Sequence, residues 1–210
     1  MIKAVIFDLD GVIVRTDDLH YRAWKFVADQ EGIIFNQTIN HRLRGVSRME
    51  SLEIILEQSN KTYLEDEKLK LAKVKNDYYI DLLKNLSKSD ILPGVLFVLD
   101  ALKQKGIKIA IGSSSRNTPM ILKQIGLDQA FDAIADGNDV KNSKPAPDVF
   151  IRAAERLNIE PRLCAVVEDA EAGIEAAKHA KMISIAISDA RKSPKADYRL
   201  EKITELLSIV

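Results

Sequence analysis

The chain has 210 residues, 46% of them hydrophobic and 30% charged, the balance of a folded globular protein with one sizeable core and room for a smaller module. Its 31 basic residues cancel its 31 acidic ones, so no global field recruits nucleic acid or an anionic membrane, and any anion site must be a local arrangement. No apolar stretch approaches the roughly 18 residues of a membrane span and no signal peptide is expected ahead of the first strand, which points to the cytoplasm. The first element is the apolar run Ala4-Val5-Ile6-Phe7, read as a buried strand. It ends in Asp8-Leu9-Asp10-Gly11, two carboxylates and a turning glycine at the edge where open parallel sheets carry their ligands. From Asp17 to Lys88 there is no proline, and helical spacing dominates: Ala23, Phe26 and Val27, then Leu52, Ile55 and Leu56, then Leu69, Ala72, Tyr79, Leu82 and Leu83. This stretch reads as a small helical module inserted after the first strand. Ser87-Lys88-Ser89-Asp90 interrupts the pattern, and Pro93-Gly94 opens a new helix with proline near its first turn.

Helix and strand then alternate. Helices are expected over Val95–Gln104, Asn117–Gln124, Asp148–Leu157 and Ala170–Ala180, and strands over Lys108–Ile111, Ala133–Ala135, Cys164–Val167 and Ile183–Ile187. A polar tail around Lys192 to Asp197 leads into a short last helix. Cys164, the single cysteine, excludes an internal disulfide and reads as a small buried hydrophobe. Repeated β-α units imply a doubly wound, Rossmann-like parallel α/β sheet with helices on both faces.

In such a sheet four strand ends meet on one edge. The first brings Asp8 and Asp10; the second, Gly112-Ser113-Ser114-Ser115-Arg116-Asn117; the third is followed by Ser143-Lys144-Pro145; the fourth brings Glu168-Asp169. Singly, each reads equally well as a surface turn, a helix cap or a solvated charge. Together they specify chemistry. Two like charges ~4 Å apart cost about 4 kcal/mol at an effective dielectric of ~20, so three converging carboxylates require a cation, and an all-oxygen site suits Mg²⁺. The Ser113 hydroxyl and the Lys144 ammonium would hold a phosphoryl group by hydrogen bonds and charge, and Pro145-Ala146-Pro147 stiffens the backbone behind Lys144.

This constellation resembles the haloacid dehalogenase superfamily of phosphotransferases along the whole chain: D-L-D-G at the first strand, Ser113 at the second, Lys144 after the third, and Glu168-Asp169 with Gly173 at the fourth. Within it the likeness is closest to the β-phosphoglucomutase family, through His20-Tyr21-Arg22-Ala23-Trp24, Arg44-Gly45-Val46-Ser47-Arg48, Lys75-Asn76-Asp77, Ser114-Ser115-Arg116-Asn117 and Ser143-Lys144-Pro145-Ala146-Pro147-Asp148. The resemblance implies an α/β core over residues 1–16 and 89–210 and a helical cap over 17–88. It implies Asp8 as a nucleophile that becomes an aspartyl phosphate, and Asp10 as general acid–base. Mg²⁺ would be held by Asp8, the Asp10 carbonyl, Glu168 and Asp169. Gly45, Val46, Arg48, Ser115, Arg116 and Asn117 would grip the non-reacting phosphate, and His20, Trp24 and Lys75 would meet the sugar or position Asp10. Trp24 also fits plain cap packing, His20 a hinge hydrogen bond, and Lys75 a solvated helix charge.

The implied reaction is interconversion of β-D-glucose 1-phosphate and glucose 6-phosphate through glucose 1,6-bisphosphate, with a bisphosphate activator and a monomeric enzyme. The alternative is an Mg²⁺-dependent sugar-phosphate phosphatase, with water as acceptor. Dehalogenase and phosphonate hydrolase relatives typically lack an acid at the position of Asp10, and a silent binding protein would not keep every reactive position filled. Dinucleotide chemistry has no G-x-G-x-x-G, and His20, His41 and His179 lack zinc-ligand spacing. Two positions depart from the family: Arg15 stands in the hinge where an acidic or amide residue is usual, with Thr16, Asp17 or Asp18 still able to cap the next helix, and Arg116 replaces the lysine of many members.

Overall fold

The computed structural model describes residues 1–210. A six-stranded sheet is built from β1 (Ala4–Phe7), β2 (Lys108–Gly112), β3 (Ala133–Ala135), β4 (Cys164–Glu168), β5 (Ile183–Ala186) and β6 (Tyr198–Arg199). The order is β3-β2-β1-β4-β5-β6 and every pairing is parallel. The chain moves outward from β1 to β3, then returns to the other side of β1 for β4. That reversal opens a crevice at the C-terminal ends of β1 and β4, where an open α/β sheet takes its ligand. Register aligns Phe7 with Ile111 on one side and Val167 on the other, which brings Asp8 level with Gly112 and Glu168.

The central strands read as continuous apolar runs because both faces are covered. Alternate residues Val5, Phe7, Ile109, Ile111, Ala165 and Val167 pack beneath α5 (Val95–Gln104) and α6 (Thr118–Gln124), with Leu206 of the C-terminal tail. The intervening Ala4, Ile6, Ala110 and Val166 pack on the other face against α7 (Asp148–Leu157) and α8 (Glu171–His179), where Cys164 is buried as expected.

Between β1 and β2 the chain is helical: α1 (Asp17–Gln30), α2 (Gln37–His41), α3 (Arg48–Leu56) and α4 (Glu65–Leu83). Trp24, Ala28, Phe35, Leu52, Ile55 and Ala72 form an apolar cluster of their own. The near ends of α1 and α4, through Ala23, Tyr79, Leu82 and Leu83, instead pack into the sheet's own core. The two crossing segments lie side by side, with Arg15 N donating to Asp90 O at 3.0 Å and Val14 bridged to Ile91. No helix is long and apolar enough to cross a membrane.

Several boundaries differ from expectation for local reasons. Gly94 is in the left-handed region (φ +84), so α5 begins at Val95 and Pro93 lies outside its first turn. The short α2 and the two-residue β6 carry too few residues for a periodic signal, and the last helix is a 3-10 turn over Ile203–Ser208. Leu69, expected on a buried helix face, is 57% exposed and lines the crevice.

Candidate active site

The strand ends deliver the carboxylates with little freedom. The Asp8 amide donates to Val167 O at 3.0 Å, fixing the first residue beyond β1 against β4. Asp8, Glu168 and Asp169 are all buried, and each offers a carboxylate oxygen within 4.8 Å of the others. Lys144, 1% exposed, lies beneath them and donates to Asp8 Oδ1 at 2.6 Å and Glu168 Oε2 at 2.7 Å, with its ammonium 4.7 Å from the centre of the Phe150 ring. The other Glu168 oxygen accepts from the amides of Asp169 and Ala170, both at 3.1 Å. Glycines make the room. A Cβ at Gly173 would stand 2.0 Å from Glu168 Cδ, and one at Gly11 2.3 Å from Asp169 Oδ2.

One lysine faces three acids. Burial pushes Asp8 up to about 8 against the pull of Lys144, with Glu168 and Asp10 adding to the rise. Asp169 is raised well above the ordinary carboxylate range by burial, then by the charges of Glu168 and Asp8. Burial opposes the charge of Lys144, but Asp8 and Glu168 hold it above the usual lysine value. An all-oxygen, anionic donor set of this kind fits a hard divalent cation, which would lift the penalty on the buried charges.

Asp10, the second acid, turns away from the cluster. Thr16 Oγ1 donates to Asp10 Oδ1, and His20 Nε2 lies 3.6 Å from the same oxygen. Burial alone would raise Asp10; the His20 and Thr16 contacts, with the charge of Lys75, hold it below the ordinary value. Lys75 Nζ donates to His20 Nδ1 at 3.1 Å, the arrangement that leaves the ring hydrogen on Nε2, facing Asp10. Lys75 is buried, not solvated, with its ammonium 4.4 Å from the Tyr79 ring centre and 5.0 Å from that of Trp24. Burial first, then the charge of Arg48, lowers it to about 7. Burial and Lys75 likewise lower His20.

Across the crevice, a capping box at Ser47 and Glu50 starts α3 and sets Arg48 as its first residue. Arg48 is held below its ordinary value by burial first and by the charge of Arg116 second. Arg48 and Arg116 both line the crevice, where two guanidinium groups would make an anion welcome. The Ser113 hydroxyl accepts from the Ser115 amide at 3.1 Å, leaving its own hydrogen to donate.

All of these surround one cavity of about 530 Å³, lined by Asp8, Asp10, His20, Trp24, Gly45, Val46, Arg48, Lys75, Ser113, Ser115, Arg116, Asn117 and Asp169. Lys144 and Glu168 sit behind Asp8. Trp24 serves both readings at once, since it belongs to the helical cluster and faces the cavity. Thr16 precedes an acidic helix start and reads as a cap, yet makes no cap bond and serves Asp10. Tyr79, its ring tilted against that of His20 with centroids 4.2 Å apart, had no local signal of a site role; Asn76, from the Lys75-Asn76-Asp77 stretch, accepts from Asn117 Nδ2 at 3.0 Å. Ser114 donates to the Gly45 carbonyl at 3.2 Å, joining the helical stretch to the sheet edge.

A family model for haloacid dehalogenase-like hydrolases matches residues 2–181. A β-phosphoglucomutase of Bacillus subtilis is 43% identical over 206 residues, covering 97% of this chain and 91% of that one. A phosphorylated carbohydrates phosphatase of Thermotoga maritima is 35% identical over 181 residues, covering 85% and 81%. The crystal structure of β-phosphoglucomutase from Clostridium difficile superposes with a TM-score of 0.92 at 40% identity, covering 99% of this chain and 96% of that one.

Proposed function

The chain belongs to the haloacid dehalogenase-like hydrolase family, and on that scaffold we propose that it works as a phosphomutase, interconverting β-D-glucose 1-phosphate and glucose 6-phosphate through an aspartyl phosphate and glucose 1,6-bisphosphate. The observation that carries this reading is a single cavity lined both by Asp8, Asp169 and Ser113, with Lys144 and Glu168 behind them, and by two arginines, Arg48 and Arg116, so that two groups suited to phosphate share one space. A substrate with phosphate at both ends satisfies both.

In the first half-reaction an Asp8 oxygen attacks phosphorus, the bond from phosphorus to the sugar oxygen breaks, and the Asp10 carboxyl supplies the proton that the leaving oxygen needs. In the second, the sugar's other hydroxyl attacks the phosphoaspartate, its proton passes to the Asp10 carboxylate, and the bond to Asp8 breaks. The bisphosphate formed by this second step turns around before Asp8 attacks its other phosphorus, and the proton that Asp10 has just accepted is the one it gives to that leaving oxygen. Lys144, behind Asp8, fixes the orientation of that carboxylate and lends its charge to the phosphoryl end, while Ser113 in the cavity wall meets the phosphoryl oxygens. His20 and Thr16 orient Asp10, and Trp24 and Lys75 meet the sugar. Gly45, Val46, Arg48, Ser115, Arg116 and Asn117 grip the remote phosphate. Asp8, Glu168, Asp169 and the main-chain carbonyl of Asp10 would hold Mg²⁺, which when bound neutralises the carboxylates and polarises a phosphoryl oxygen.

Residues 17–88 act as a cap over a core of 1–16 and 89–210, the hinge being the paired segments at Arg15 and Asp90. The enzyme works as a monomer in cytoplasmic carbohydrate metabolism, primed by a sugar bisphosphate. Incubation with β-glucose 1-phosphate, Mg²⁺ and a trace of glucose 1,6-bisphosphate, followed by phosphorus NMR, tests the reading. Glucose 6-phosphate is the expected product, and release of inorganic phosphate alone would make the protein a phosphatase.

A further inference from the structure

Arg44 adjoins the loop that grips the remote phosphate, but its side chain points to the opposite wall of the crevice. Its Nη1 donates to Asp189 Oδ2, on the 3-10 turn that follows β5, and its Nη2 lies 3.4 Å from Asp17 Oδ2 at the start of α1. His41 Nε2 approaches the same Asp189 oxygen at 3.2 Å, and Lys192 reaches the other at 3.4 Å. Arg44 and Asp189 are 27% and 34% exposed, so solvent screens the pair only in part. The turn beneath is anchored: the amide of Ala190 donates to Asp169 O at 2.9 Å, tying it to the end of β4.

One residue beyond Arg44 the backbone is seated on the core a second time. The Gly45 carbonyl accepts from Ser114 Oγ at 3.2 Å. Gly45 has φ +75, and a Cβ there would come within 3.0 Å of Ala170 Cβ. Any movement that opens the crevice at this edge must separate Arg44 from Asp189 and Gly45 from Ser114.

We propose that Arg44 and Asp189 are positioning residues, an ionic clamp that holds the Gly45–Arg48 loop closed over the carboxylate cluster and thereby sets affinity for the phosphorylated sugar. The inference rests on the mutase reading for its ligand. A contact made in the closed arrangement raises the fraction of closed molecules, and apparent affinity scales with that fraction. Neither side chain has a part in bond making, so its removal should be felt in binding and not in chemistry.

The test is a cycle of Arg44→Gln, Asp189→Asn and the double variant. Glucose 6-phosphate binding is followed by the fluorescence of Trp24, the single tryptophan, buried and facing the cavity. KM, kcat and Tm are measured beside it. Each single change should weaken binding and raise KM about 2–5-fold, the scale of a partly exposed ion pair, with kcat and Tm nearly constant. The double variant should lose about as much as the worse single one and clearly less than the product of the two, because both remove the shared Arg44–Asp189 contact even though Asp189 also meets His41. Unchanged binding in the single variants, losses that multiply in the double, or a fall in kcat with KM constant would each overturn the clamp. A wild type that binds glucose 6-phosphate but only releases inorganic phosphate defeats the mutase reading and leaves the binding cycle to judge the clamp. A wild type that does not bind it removes both.

Discussion

At the scale of single residues, two acids two positions apart have been given opposite environments. Asp8 is buried against Lys144 among other carboxylates, whereas Asp10 is wrapped by Thr16, His20 and Lys75. Asp8→Asn should abolish both turnover and the phosphoenzyme while leaving the fold intact, since an amide is a poor nucleophile. Asp10→Asn should slow both half-reactions by about 10²–10⁴-fold through lost proton transfer. Stopped-flow and acid-quench measurements separate the two: a phosphoenzyme in Asp8→Asn, or a normal rate in Asp10→Asn, would reverse the roles. Lys75 supplies a pH effect. It is lowered to about 7 in the folded protein, against about 10.4 for a free lysine. Below pH ~7 both folded and unfolded chains hold its proton, and the cost of burying the charge is felt in full. Between about 7 and 10.4 the unfolded chain binds more protons than the folded one, so stability rises with pH and the cost fades. Lys75→Met should therefore raise Tm at pH 6 and do so much less at pH 10, while weakening sugar-phosphate binding. An equal gain at both values would show that the charge is not what burial penalises.

At the scale of elements, the site depends on how closely α8 approaches β4. Gly173 lies in the first turns of α8 directly against the Glu168 side chain, with no room for a methyl group. Gly173→Ala should displace the Glu168 carboxylate, cost about 1–3 kcal/mol by urea denaturation, and weaken divalent-cation binding measured by calorimetry. Retained stability and cation affinity would mean that α8 slides away without consequence. The elements themselves were legible from periodicity: apolar runs for strands covered on both faces, 3.6-residue spacing for helices, and an alternation that places every strand's C-terminal end on one edge. The carboxylates and Ser113 were legible for the same reason, because a residue at or just past a strand end has its place set by the sheet; Lys144 lies well along the loop after β3 and was legible from its charge beside Pro145-Ala146-Pro147. What was not legible depends on contacts between distant segments. Nothing local marks Lys75 as buried, since its cover comes from Trp24 on α1 and its hydrogen-bond partner is His20, 55 positions away. Thr16 has the sequence context of a helix cap and a different partner in space. Tyr79 is an ordinary helix residue until α4 is laid against the core.

At the scale of the whole molecule, the question is why one sheet edge should isomerise a sugar phosphate when a protein 35% identical to this chain is a phosphatase of phosphorylated carbohydrates. Both outcomes begin with the same aspartyl phosphate, so the carboxylate cluster cannot distinguish them; the helical stretch above it must. In the mutase reading proposed above, each phosphate takes its turn at Asp8 while the other is gripped remotely, a grip assigned there to Arg48 on the helical side and Arg116 on the sheet side, both in the cavity lining. On that reading their attraction for the free phosphate would favour closure and aim the sugar hydroxyl at the phosphoaspartate, where well-placed groups reach effective molarities of about 10⁵–10⁸ M. Water has no phosphate handle and gains nothing from either arginine. Arg48→Ala should therefore cut isomerisation at least tenfold more than it cuts hydrolysis of the aspartyl phosphate, shifting the product ratio towards inorganic phosphate. Both rates can be read from one phosphorus NMR time course on β-glucose 1-phosphate. Equal losses in the two rates would show that Arg48 binds substrate and intermediate alike without selecting the acceptor, and the choice between hydroxyl and water would then lie with Arg116 or with cap closure itself.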